Sequence, residues 1–275
     1  MALRTRLYFV AGAVVLTVAL YFAPGEVKQN KTTPSVTTDR PAVDFEGILS
    51  EAKKSLQNQD LKQIESLEQT ARNGEGDTAT LAQLGRKWDD AGLPQISSHY
   101  FDLIAQLKPG EKEWLNAAYR YFDAFKMSSD SAAKAMMVQK AIDCYKAVIT
   151  INPGNLDAKT DLGVCYAEGT PNPMQGIMML REVVQEKPAH ENAQFNLGIL
   201  SVKSGQLEKA VDRFNKVLEI NPAREDAGFL LARCYADLGQ KQKAVELLNK
   251  LMKNSKNKEI TDQSAALLSQ ININQ

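Results

Sequence analysis

The chain has 275 residues with 33 basic and 33 acidic side chains, so its formal net charge of zero does not draw it to nucleic acid or to an anionic membrane surface. Aromatics make up only 7% of it, while aliphatics and alanine are plentiful, which suits helices better than sheets. Cys144, Cys165 and Cys234 form no C-x-x-C pair and cannot all pair within one chain, and His99 and His190 have no neighbours at a metal-ligand spacing, so no disulfide framework, metal or cofactor is expected.

Residues 7–23, LYFVAGAVVLTVALYFA, carry no charge. As a helix rising about 1.5 Å per residue they reach roughly 26 Å, slightly short of the ~30 Å hydrocarbon core but workable with snorkelling flanks and local thinning. Their Leu, Val and Phe side chains favour insertion by roughly 3 to 5 kcal/mol, and Tyr8 and Tyr21 stand near the ends, where interfacial aromatics belong. A cleaved signal peptide is the alternative. A cut after Ala23 puts Tyr21 at −3 and Pro24 just beyond, and a cut after Leu20 puts a large residue at −1. The favoured reading is therefore an uncleaved single transmembrane helix within residues 1–23. Arg4 and Arg6 precede it, which places the N-terminus in the cytoplasm and the rest of the chain across the membrane, in a bacterium the periplasm. Free cysteines fit an oxidising compartment awkwardly. Residues 24–43, rich in Pro, Thr and charge without apolar periodicity, read as a flexible linker.

Residues 44–76 predict two capping helices. Phe45, Ile48, Leu49, Ala52 and Leu56 share one apolar set, Leu61, Ile64 and Leu67 another, and Asn73-Gly74 closes the second. A repeat follows. The segments AVITINPGN, EVVQEKPAH and KVLEINPAR end alike, their Pro153, Pro188 and Pro222 falling 35 and 34 residues apart, and Pro109 closes an earlier unit. Upstream of each proline lies a second signal, seen as LGRKW, LGVCY and LGILS. Five units result over 77–258. Unit 78–111 holds Leu81, Leu84-Gly85, Trp88, Ser97, Phe101 and Pro109. Unit 111–155 holds Trp114, Ala117-Ala118, Tyr121, Ala141, Tyr145, Val148 and Pro153, with about eleven extra residues around KMSSDSAAKAM. Unit 156–190 holds Leu162-Gly163, Tyr166, Gly176, Leu180 and Pro188. Unit 191–224 holds Leu197-Gly198, Gly205, Ala210, Phe214, Val217 and Pro222. Unit 225–258 holds Leu231-Ala232, Tyr235, Gly239, Ala244 and Leu248, with Lys256 where proline would stand.

Each unit carries two amphipathic stretches at helical spacing; small residues (Gly85, Gly163, Gly198, Ala210, Ala244) fall where helices cross, and in the first four units a proline stops the second helix. One such unit cannot bury its apolar face alone, so units stack and the ends need caps. The C-terminal cap is expected within 259–275, as a helix from Thr261 to Ile271 with Ala265, Leu267 and Leu268. The pattern resembles the tetratricopeptide-repeat (TPR) family, whose 34-residue unit reads W-x2-L-G-x2-Y…A-x3-F…P. The resemblance covers residues 78–258 and implies an all-α, right-handed solenoid of helical hairpins.

No catalytic motif is present: no phosphate-binding or dinucleotide glycine loop, no H-E-x-x-H and no G-x-S-x-G. Asp89-Asp90 reads as the solvated end of a first helix rather than a catalytic pair. Cys165 and Cys234, each before a tyrosine, read as small packing residues rather than a redox pair. His99 falls in a second helix and His190 in a turn, and both read as surface or packing residues. The chain is not expected to be an enzyme.

The TPR resemblance further implies that extended or helical peptides bind along a concave face lined by the first helix of each unit. Transferred to this sequence, that face includes Arg86, Asn116, Tyr119, Phe122, Val164, Phe195, Ile199, Phe229 and Arg233. The Lys/Asn/Arg clamp by which co-chaperone TPR domains hold a C-terminal carboxylate is absent; only Asn116 and Asn196 are similar to part of it. An apolar and aromatic run replaces it, flanked by the two arginines. The alternative is that this run packs against neighbouring helices. By architecture the chain is similar to anchored TPR proteins of the bacterial envelope, such as the ancillary subunit of the secretion translocon. The expected function is a membrane-anchored scaffold or adaptor for protein or peptide clients in envelope protein assembly or secretion. The alternatives are a self-associating structural protein and a noncatalytic subunit of an enzyme complex.

Overall fold

The computed structural model describes residues 45–72 and 77–273. The expected span and linker, and the Asn73-Gly74 stop, lie outside the described residues. The described residues form thirteen helices and no strand: α1 Phe45–Lys54, α2 Asn58–Thr70, α3 Thr78–Asp90, α4 Pro94–Leu107, α5 Glu111–Met127, α6 Ser131–Ile151, α7 Leu156–Gly169, α8 Pro173–Glu186, α9 Glu191–Lys203, α10 Leu207–Ile220, α11 Glu225–Asp237, α12 Lys241–Asn254 and α13 Lys258–Ile273. Among them no helix is long and apolar enough to cross a membrane. Residues from Phe45 onward form one compact unit.

The sequence punctuation fixes where helices begin and end. Asp77, Asp130 and Asn155 each accept the backbone N–H three residues on with the side chain, at 2.6–2.8 Å, opening α3, α6 and α7. His190 does the same for α9 through Nδ1, so this histidine is a buried helix cap rather than a surface residue. Pro94 and Pro173 occupy the first turn of α4 and α8, where a missing N–H costs nothing. Pro109, Pro153, Pro188 and Pro222 follow closely on the ends of α4, α6, α8 and α10. Gly205, in the turn between α9 and α10, has φ +71°, the left-handed conformation that glycine adopts without steric cost.

From α2 onward, helices adjacent in sequence pack on one another, so α3 to α12 form five stacked hairpins, with α1 and α2 at one end and α13 at the other. The interior is built at the crossings. The Phe101 ring lies over Gly85 and the Phe214 ring over Gly198, a large residue of the second helix filling the notch left by the first. In the third hairpin the notch is tighter: backbone meets backbone between Gly163 and Gly176. The extra residues of the second hairpin lengthen both its helices. Met137 and Val138, just after the inserted residues on α6, are buried, and Val138 sits against Gly169 at the end of α7. The insertion is thus a longer helix pair that braces its neighbour.

At the N-terminal end Leu49 and Ile64 are buried and the Phe45 ring lies on His99, with centroids 3.8 Å apart. At the C-terminal end α13 starts earlier than expected and buries Ile260, Ser264 and Ile271, with Leu267 and Leu268 half-buried and Ala265 exposed. Ala265 therefore lies off the packed face: the apolar side of α13 is set by Ile260, just before the segment read from sequence, and Ile271, at its end.

Polar contacts tie hairpin to hairpin. Arg120 of α5 bonds Asp89 (Nη2–Oδ2 2.7 Å) and Ser97, donates to its own helix at Asn116 O, and lies 3.5 Å over the centre of Phe101. Asp89 is half-buried in this contact; it is not the freely solvated helix end expected from sequence. Tyr121 donates to the buried Asp102 at 2.9 Å. A recurring latch joins the first residue of a first helix to the linker at the end of its own unit. Glu111 accepts from Asn152 and Asn155, Glu191 from Asn221 and Arg224, and Glu225 from Ser255. The third unit starts with Leu156 and uses Asp157 instead, 3.3 Å from His190 Nε2.

Candidate binding faces

The first helices α5, α7 and α9 pack against one another as well as against their own hairpin partners, whereas the second helices have no comparable mutual packing. The stack is therefore narrower on the side of the first helices. The nine residues read from sequence for that side differ sharply in what they offer. Arg86 and Arg233 are exposed and Asn116 is half-buried. Phe122 is half-buried, stacked on Phe125 at 5.9 Å with the Lys126 ammonium 4.7 Å from its centre. Phe195 packs edge-on against Phe214 at 5.9 Å, and the Arg224 guanidinium covers it at 3.9 Å. Ile199 and Phe229 are half-buried against the interior of the last two hairpins. Val164 is 7% exposed and packs with Leu180, Val183, Ala193 and Leu197. It belongs to the interior, because α7 turns that position toward α8 and α9. The run is thus partly structural, and its rings do not line up as equivalent open anchors.

Tyr119 is the exception, 44% exposed and packed edge-on against the buried Tyr145 at 6.0 Å. Partial burial and the carboxylates of Asp161 and Asp157 raise its phenol pKa. Burial and the neighbouring Asp157 in turn push the Asp161 carboxyl up to about 6. The result is an accessible ring beside two acids one helical turn apart on α7. Sequence reading missed both acids. The D-x-x-x-D spacing of Asp157 and Asp161 is visible, but its approach to Tyr119 depends on how α5 and α7 pack.

The opposite side carries a second feature that sequence reading did not locate. Between α8 and α10, over α9, lies a cleft of about 440 Å³. Ile177, Leu197 and Leu200 line its apolar part, and Arg181 and Arg213 come from its two walls. These arginines flank the core positions Leu180 and Phe214 on opposite sides, so their convergence is not apparent from repeat register.

The thiols offer no chemistry at either face. Cys144, Cys165 and Cys234 are buried and unpaired. Burial pushes the Cys144 thiol up to about 12 and that of Cys234 to about 11, and raises Cys165 likewise, so all three stay protonated. Among the described residues no group of three His, Cys, Asp or Glu side chains could hold a metal.

Stacked antiparallel hairpins of nearly constant length, notched by glycine and closed by proline, define a helical-repeat solenoid. A model of the family Tetratricopeptide repeat matches residues 201–271, from the end of α9 through α13. Among solved structures, a tetratricopeptide repeat protein from Parabacteroides merdae is similar with a TM-score of 0.57 at 17% identity, over 83% of this chain and 86% of that one. A thermophilic TPR protein of Thermus thermophilus is similar with a TM-score of 0.52 at 16% identity, over 70% of this chain and 99% of that one. Together with the fold, these findings support the tetratricopeptide repeat as the building unit. No curated protein matches the chain.

Proposed function

We propose that the chain is a scaffold that binds an amphipathic segment of a client protein along the side of its first helices. The client's basic residue sits against Tyr119, Asp157 and Asp161. The observation that carries this reading is the open Tyr119 ring beside those two acids. A cation placed there gains the carboxylates and the ring face together. Tetratricopeptide-repeat proteins are generally noncatalytic scaffolds, which fits this assignment. A photo-crosslinking amino acid at position 119, introduced into the full chain in cells, should capture a discrete partner. The same group at Glu246, exposed on α12, should not. Equal products from both positions, or none from position 119, reject the reading.

The same proposal places the scaffold at a membrane, held by residues 7–23 with the repeats on the extracytoplasmic side, in envelope protein assembly or secretion. Its support is the uncharged run LYFVAGAVVLTVALYFA behind Arg4 and Arg6. Retention in the membrane pellet after alkaline carbonate extraction, and digestion of the repeats by protease added outside spheroplasts, are the expected results. Release into the supernatant excludes the anchor, and protection of the repeats reverses the orientation.

A further inference from the structure

The cleft between α8 and α10, floored by α9, has the chemistry of a binding site separate from the Tyr119 face. Among the described residues, Arg181, Lys209, Arg213 and Lys216 line it against a single carboxylate, Asp212. Lys216 has an outside partner in Glu219 at 2.7 Å, and Lys209 bonds the Gln206 amide at 2.6 Å. Among the described residues neither arginine has a carboxylate within ion-pair distance.

Arg213 is nevertheless held in place. Its Nη1 donates to Gln194 Oε1 at 2.6 Å, and Gln194 is 5% exposed. The Gln194 amide is itself fixed, because its Nε2 donates to Pro188 O at 2.8 Å. A buried amide with both ends engaged thus orients a guanidinium at a cavity that another guanidinium enters from the facing wall. Partial burial and the Arg181 charge both disfavour the charged form of Arg213. An arrangement of this kind is unfavourable empty and favourable around an anion.

We propose that this cleft binds an acidic segment of a protein partner, taking a carboxylate between Arg181 and Arg213 and an aliphatic side chain on Ile177, Leu197 and Leu200. The planar forks of two arginines match a carboxylate. The apolar part and the 440 Å³ volume exceed what a simple oxyanion fills and suit one or two residues of a peptide. Met174, 55% exposed at the rim, adds an adaptable apolar contact. The cleft lining holds no aromatic ring on which a nucleobase would stack.

The test uses the full chain in neutral detergent and a fluorescein-labelled peptide Leu-Glu-Asp-Leu-Glu-Leu, followed by anisotropy, with a peptide carrying Lys at each acidic position as its counterpart. The acidic peptide should bind and the basic one should not. Arg181→Gln alters an exposed side chain without a partner, so it leaves the fold intact; it should weaken binding about tenfold. Gln194→Leu should weaken binding through loss of Arg213 orientation, and Tyr119→Ser, on the other side, should leave it unchanged. Four results overturn the proposal: no binding of the acidic peptide, equal binding of both peptides, indifference to Arg181→Gln, or loss of binding with Tyr119→Ser. Displacement of the peptide by an equal concentration of inorganic phosphate would reassign the cleft to simple anions. The peptide and Arg181→Gln outcomes do not bear on crosslinking from position 119, so the two faces are tested separately.

Discussion

Gly176→Ala tests the backbone-to-backbone crossing of α7 and α8. A Cβ at position 176 would fall inside contact distance of Gly163 O, 2.5 Å from Ala167 N and 2.9 Å from Ala167 Cβ. Two of these obstacles are backbone atoms of the facing helix, so no rotamer change relieves them, and the hairpin must spread. Overpacking of this kind costs roughly 3 kcal/mol, at the upper end of the usual range. Alanine returns about 1 kcal/mol through helix propensity. The net loss is about 2 kcal/mol, or roughly 4–8 °C in melting temperature for a domain of this size. Gly228→Ala is the control, because the near atoms its Cβ would meet all belong to the Leu251 side chain, at 3.3–3.9 Å, and none is backbone. It should melt at or above the wild-type temperature. Thermal unfolding followed by circular dichroism decides the matter. If Gly176→Ala melts no lower than Gly228→Ala, the close crossing is not rigid and the reasoning fails.

Arg120→Ala removes the partner of the half-buried Asp89 and the cover of Phe101, and should lower stability in urea by about 2 kcal/mol. Asp161 titrates in the opposite sense to a salt-bridged acid. Its folded pKa of about 6 lies above the ordinary value of 3.8, so the folded form binds the proton more tightly and the group destabilises the fold above pH 6. That penalty disappears as pH falls from about 6 toward 4. Asp161→Asn should therefore melt higher than wild type at pH 7.5, and the difference should close near pH 4. The three thiols should resist a thiol-reactive disulfide reagent at pH 8 in the folded chain and react fully in denaturant.

The hairpin architecture was legible because its determinants are local and repeated. Proline and glycine punctuation, the LG pairs and the spacing of large apolar residues each specify something about their own helix, and five copies reinforce one another. The long second hairpin was visible as an insertion, but its bracing role depends on Val138 meeting Gly169, a contact between units. The binding faces were harder for the same reason. Repeat register assigned Tyr119 and Val164 to equivalent places, yet one is open and the other buried, because Val164 is covered by Leu180, Val183, Ala193 and Leu197 of α8 and α9. Phe195 looked like an anchor until Arg224, 29 residues later, came to cover it. Asp89 looked solvated until Arg120, from the next unit, reached it. Register identifies the helix face, and the neighbouring unit decides whether that face is available.

The linker latches of Glu111, Asp157, Glu191 and Glu225 give the stack a mechanical asymmetry. All four sit where first helices begin, so they bind the hairpins along one edge, as a spine binds pages. Away from these starts the described ties between first helices are Arg120 to Asp89 at 2.7 Å and Lys203 to Glu168 at 2.6 Å, both partly solvated. Rotation about the spine then displaces each residue in proportion to its distance along the helix. Tyr119, eight residues from Glu111, stands on a lever arm of about 12 Å, so a turn of about 5° shifts it roughly 1 Å while the start of α5 stays still. The width available to a bound segment is therefore graded, fixed at the spine and more compliant toward the fore-edge, where these two ties set how far the pages part.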